Sequence, residues 1–138
     1  MLLQSYTIPL DPRTKKNHQM IAGSGPRCPY CGKYKKIFIR QGKPAQEYNA
    51  QAYHYLRPKP TAPISTPVHI TYLFYMKTRR KVDSLNLCAA ADDLLVGAGI
   101  LQDDNSSIVI HHDGTRVLYD KENPRTEIYI YQLEGNTL

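Results

Sequence analysis

A chain of 138 residues, 41% hydrophobic and 22% charged, is long enough for one domain with a real core and leaves no room for a second. No run is apolar enough to cross a bilayer, and the N-terminal MLLQSYTIPL lacks the basic flank, long apolar core and small-residue cleavage site of a secretory leader. A cytoplasmic protein with no membrane partner is therefore expected. The net charge of +6 and a pI near 9.2 favour polyanionic partners, and three cysteines, an odd count, argue against a disulfide framework.

Residues Gln4 to Leu10 read as an opening strand, stopped by Pro9 and Pro12. The following DPRTKKNHQMIAGSGPR has no periodicity and reads as a surface loop. Its Arg13, Lys15, Lys16 and Asn17 either grip phosphate or form a solvated charge run. Next, CPYCGKYKK carries Cys28 and Cys31 in a Cys-Pro-x-Cys-Gly turn, which points two thiolates at one ion and is half of a zinc knuckle. A closed Zn²⁺ site needs four ligands. His18 with another group would complete it, or the same pair from a symmetry partner; the alternative is two unmetallated surface thiols.

Ile37 to Ile39 suits a short strand, and Pro44 to Leu56 a helix with proline in its first turn. The proline-rich RPKPTAPISTP that follows cannot be helical. Val68 to Met76, VHITYLFYM, is a nearly continuous apolar and β-branched run and should be central in its sheet. After a basic turn, Lys77, Arg79, Arg80 and Lys81, comes Asp83 and then a helix over 84–98 with Leu85, Leu87, Cys88, Ala91, Leu94, Leu95 and Ala98 at helical spacing. Gly97 and Gly99 end it, Asp103 and Asp104 follow, and 106–112 reads as a strand. Asp113-Gly114 signals a turn into a hairpin arm at Thr115 to Tyr119, and Thr126 to Leu133 alternates as a final strand. These elements indicate a small α+β domain of two layers, a mixed sheet packed with two main helices. Eleven tyrosines either fill the core and the sheet faces or, beside cations, stack on unpaired bases.

Carboxylates thus stand at both ends of one helix in a basic chain. Clustered acids are costly unless a cation binds among them, and a divalent metal contacting a phosphate backbone meets that need. Taken singly, Asp83 is equally a helix N-cap, and Asp103-Asp104-Asn105 a polar turn.

The stretch from residue 70 to 110 resembles the RusA family of Holliday-junction resolvases, common in prophages. The matching residues are the basic turn Arg79-Arg80-Lys81, then Asp83-Ser84-Leu85-Asn86-Leu87 opening a helix, the mid-helix Asp93, and Gly99-Ile100-Leu101-Gln102-Asp103-Asp104, with no gap. The Cys-x-x-Cys insertion around 23–36 lies outside that pattern. The resemblance implies a homodimeric α+β fold, nucleoid-associated, that cuts four-way DNA junctions with Mg²⁺ or Mn²⁺. Asp83 and Asp104 would be metal ligands, Asp103 a further ligand or a base beside them, and Asn86 an orienting group. Lys77, Arg79, Arg80 and Lys81 would bind the flanking phosphates without reading sequence.

Two positions depart from the signature: Leu85 stands where it has a second acid, and Ala89 where it has a lysine. They leave two rivals to the nuclease: a fold-mate that holds branched DNA without cutting it, and an interaction protein stabilised by zinc at Cys28 and Cys31.

Overall fold

The computed structural model describes residues 1–14, 19–41 and 43–133. Strand β4, Val68–Met76, is the centre of the main sheet. Its even-numbered residues Val68, Ile70, Tyr72, Phe74 and Met76 are buried, while the odd-numbered ones are half exposed, so one face of the strand points into the core and the other does not. Along one edge β4 pairs antiparallel with β7, Arg125–Gln132, which in turn pairs antiparallel with β1, Leu2–Ile8. The buried residues of β7, Thr126, Ile128 and Ile130, and of β1, Tyr6 and Ile8, extend the same apolar face.

The other edge of β4 corrects the expectation drawn from Asp113-Gly114. Instead of a hairpin, β5 (Val109–His111) and β6 (Arg116–Tyr119) both run parallel to β4, one after the other. Val68 pairs with Val109 and Leu73 with Arg116, so the Asp113-Gly114 pair is a bulge inside one interrupted edge. It is held down from β4: the Thr71 hydroxyl donates to the Asp113 carbonyl (2.8 Å), and the Tyr72 N–H donates to Thr115 Oγ1 (3.1 Å). A local turn signal reports that the chain deviates; it does not say whether the chain reverses or only steps sideways. That depends on which neighbour accepts its hydrogen bonds.

Two helices cover the core face. Helix α1, Lys43–Ala52, ends in a 3₁₀ turn at Tyr53–Tyr55. Helix α2, Ser84–Gly97, buries Leu87, Cys88, Ala91, Asp92, Leu94 and Leu95. Tyr48 of α1 and Leu87, Ala91 and Leu94 of α2 line one small gap with Ile8, Phe74, Thr126 and Ile128 of the sheet, so both helices lie on the same side. Asp83 starts α2, its Oδ1 accepting from the N–H groups of Leu85 (3.0 Å) and Asn86 (3.3 Å), a cap worth about 1 kcal/mol. At the far end Gly99 takes φ +78°, which lets Gly99 and Ile100 donate back to the carbonyls of Val96 and Leu95 (3.0 Å each). The chain then buries Ile100 and Leu101 against the proline-rich connector through a bridge at Ile64. The architecture is α+β, a mixed sheet with two helices, and no helix among the described residues is long and apolar enough to cross a membrane.

The N-terminal third departs further from expectation. Residues Gln19–Arg27, expected as loop, form β2, and the short strand expected at Ile37 to Ile39 is the middle of β3, Tyr34–Gln41. The two pair antiparallel, Ile21 opposite Ile39 and Ser24 opposite Lys36, as a separate two-stranded sheet. Gly, Ser and Pro lower the strand propensity of 23–26, and the cross-strand ladder supplies what local preference lacks.

Ile130 is fully buried where β7 meets β4 and β1. Ile130→Ala should therefore lower unfolding free energy by about 2–5 kcal/mol in urea titration, with a correspondingly earlier midpoint.

Candidate functional site

The basic turn sits where β4 ends and α2 begins. Lys77, Arg79, Arg80 and Lys81 are all exposed. The turn is tied to the preceding loop by the Lys77 N–H, which donates to Asp11 Oδ1 at 3.0 Å, and the Arg79 guanidinium lies 4.0 Å over the ring of Tyr119. Stacking of this kind holds an arginine in place while leaving its N–H groups available for phosphate. Asp83 shares this end of the molecule, and Asn86 follows one turn into the helix. Lys15 and Lys16, with Asn17 and His18, lie outside the described residues.

Asp103 and Asp104 lie in the loop between α2 and β5. Asp103 organises its own turn: Oδ1 accepts from the Asp104 N–H at 2.8 Å and Oδ2 from Asn105 Nδ2 at 3.0 Å. Those bonds, the backbone one first, hold its carboxyl below the usual range. Asp104 shifts the opposite way. Although the residue is exposed, partial desolvation of its carboxyl comes first and the negative charge of Asp93 second, with Asp103 and Asp92 adding to the rise. Asp104 is thus gathered with the acids on the C-terminal half of α2. Asp83 caps the N-terminus, separated from Asp93 by ten residues, or ~15 Å of helix.

A further acid, Asp92, escapes a reading of charge pattern alone. Its side chain is 10% exposed and accepts from the Tyr72 hydroxyl at 2.5 Å; His112 Nε2 stands 3.0 Å from the same carboxylate. Tyr72 is completely enclosed, and burial followed by the Asp92 charge pushes its phenol well above the ordinary value. A signal for this network does exist in the sequence: Asp92 lies four residues after Cys88 and three before Leu95, on the stripe of α2 that faces the core. A carboxylate there requires donors from elsewhere in the fold, and they come from β4 and from the residue after β5.

These positions test the fit of a divalent metal. Among the described residues no three His, Cys, Asp or Glu side chains converge on one point. Asp83 caps the start of α2, Asp104 follows the helix and senses Asp93 and Asp92, and Asp103 accepts two hydrogen bonds within its own turn.

Cys28 and Cys31 form the tip of the β2–β3 hairpin, where the Cys28 N–H donates to the Lys33 carbonyl (2.7 Å) and the Gly32 N–H to the Cys28 carbonyl (2.9 Å). Gly32 takes φ +72°, which the tight turn demands. The N–H groups of Cys31 and Tyr30 hydrogen-bond the Cys28 sulfur and hold its thiol below its usual value.

The Asp104 shift carries a testable sign. A raised folded-state value means that the proton is held more tightly when folded, so the associated stability is present below the unfolded value and lost as pH rises through the folded one. Asp104→Asn removes that loss. Its gain in melting temperature over the parent should be larger at about pH 7 than at about pH 3, measured by thermal denaturation across that range.

Comparison of the chain with protein-family models and with curated proteins finds no match to either.

Proposed function

We propose that this protein is a divalent-metal-dependent endonuclease acting on branched DNA, working as a homodimer that nicks four-way junctions in recombination and repair. The observation that carries the reading is the state of Asp104: a carboxylate whose ionisation is disfavoured first by partial desolvation and then by the charge of Asp93, with Asp92 adding to it, in a chain of net charge +6. A bound cation relieves such crowding. The exposed cations of 77–81 add a surface suited to the phosphate backbone, and the resemblance of residues 70–110 to the RusA signature adds the order in which these groups occur. Mg²⁺ or Mn²⁺, when bound, would supply charge to offset that of the phosphate under attack.

In this reading the ion shared by Asp83 and Asp104 is held between two copies of the chain. A two-fold axis running α2 against its own copy brings the start of one helix to the end of the other, and does so twice. Leu85, 77% exposed beside Asp83, offers an apolar surface for a partner chain to cover. Two sites related by a two-fold suit a junction of the same symmetry. Lys77, Arg80 and Lys81 then hold the flanking backbone, with Arg79 positioned by Tyr119.

A second reading is a protein that binds branched DNA without cutting it. It is favoured by Leu85 and Ala89, exposed and uncharged where the signature has an acid and a lysine.

A synthetic junction with Mg²⁺ or Mn²⁺ separates the two readings. Cleavage is expected from the parent, while Asp83→Asn and Asp104→Asn should each bind the junction and leave it uncut. Mixing these two variants should restore nicking, since one of the two sites in the mixed dimer carries both native carboxylates. Mixtures that stay inactive while the parent cuts would place the ligands within one chain, and tight binding without cutting by the parent selects the second reading.

Arg79→Ala with Arg80→Ala should weaken junction binding to a similar degree for every sequence tested. It should also reduce the salt slope by about one to two, as read from binding isotherms at several salt concentrations.

A further inference from the structure

The tip of the β2–β3 hairpin has no part in the nuclease reading, yet it is a tight, hydrogen-bonded surface turn. Its two cysteines are joined by a side-chain hydrogen bond, so the sulfurs are already neighbours. The turn that holds them is closed on both sides by the bonds from Cys28 to Lys33 and from Gly32 to Cys28. Gly32, at φ +72°, lets the chain reverse just after Cys31 and keeps both cysteines on the one tip. Such a turn presents two ligands at little further cost in chain entropy.

Two ligands are not four. The third cysteine, Cys88, is buried under α2 among the core residues, where burial and then the Asp92 charge push its thiol up to about 11. It cannot reach the hairpin tip. Among the described residues no third His, Cys, Asp or Glu joins the pair. A structural zinc site is almost always tetrahedral and closed, so the missing half has to come from outside the turn. The tip is open to such a partner: Pro29, Cys31, Gly32 and Lys33 are exposed, and Tyr30 is 97% exposed.

We propose that Cys28 and Cys31 bind half of a four-thiolate Zn²⁺ site whose other half is the same two cysteines of a second copy of this chain, joining two hairpins tip to tip. Charge supports this occupant. Arg27 and Lys33 flank the pair on each tip, so two bare tips repel. A zinc ion with four thiolates carries two net negative charges and reverses that repulsion. Formation of the site releases the four thiol protons to the buffer and needs no oxidant or reductant. The site is independent of the proposed nuclease chemistry, and failure of either leaves the other standing.

The test uses the full chain, reduced and stripped of metal. Titration with Zn²⁺ should saturate at one ion per two chains. With Co²⁺ as the probe, the sulfur-to-metal charge-transfer band and the intense visible bands of a tetrahedral thiolate site should appear. Cys28→Ser and Cys31→Ser should each abolish those bands with no change in the melting of the main domain. Native mass spectrometry of mixed isotope-labelled and unlabelled chains should show subunit exchange slowed by Zn²⁺ and restored by a chelator, whether or not the chains already pair through α2. One zinc per chain, a Co²⁺ spectrum without thiolate bands, exchange indifferent to zinc, or no retained metal would each overturn the proposal.

Discussion

The length and rigidity of α2 decide how charge is distributed in this protein. Its fourteen residues run for ~21 Å from the basic turn with Asp83. The helix cannot shorten that distance, because Asp83 holds its first turn and the Gly99 cap closes its last. Cations gather with Asp83 at the start of the helix, while Asp92, Asp93 and Asp104 lie near one another further along, on a chain whose net charge is strongly positive. A bound cation or a second copy of the chain would offset the crowding around Asp104, and the proposed nuclease uses both.

The same helix is fixed to the sheet by a polar contact as well as an apolar one. An unpaired buried carboxylate costs several kcal/mol. Asp92 avoids that through the Tyr72 hydroxyl from the centre of β4 and the ring of His112 just after β5. One partner comes from β4 and the other from the residue after its neighbour β5, so the network defines how α2 lies over β4 and where the chain leaves β5. Asp104 feels the Asp92 charge through this arrangement. The packing that stabilises the core therefore also sets the electrostatics of the loop beside it.

The opposite face of the sheet is organised differently. His69 of β4 stacks between His111 of β5 and Tyr131 of β7, with ring centroids 4.7 and 4.6 Å apart, and the guanidinium of Arg125 lies 3.7 Å over Tyr75. Cross-strand neighbours in register are about one strand spacing apart, so flat rings on adjacent strands fall naturally into such stacks. Several of the eleven tyrosines are accounted for here. They pack along the half-exposed side of the sheet, ring against ring or under a cation.

What the sequence determined by itself were the features that depend on neighbours along the chain. The alternation of Val68 to Met76, the helical stripe from Leu87 to Leu95, the cap at Asp83 and the glycine stop are each set within a few residues, and the structure contains all of them. Tertiary structure alone decided three other matters. It turned the polar stretch before Cys28 into a strand, because β3 supplied the ladder that Gly, Ser and Pro do not encourage. It made Asp113-Gly114 a bulge instead of a reversal, because β4 extends past both β5 and β6 and accepts them in the same direction. And it gave Asp92 its partners, from residues twenty positions away on either side. In each case the deciding hydrogen bonds join groups distant in sequence, and no pattern confined to one segment contains them.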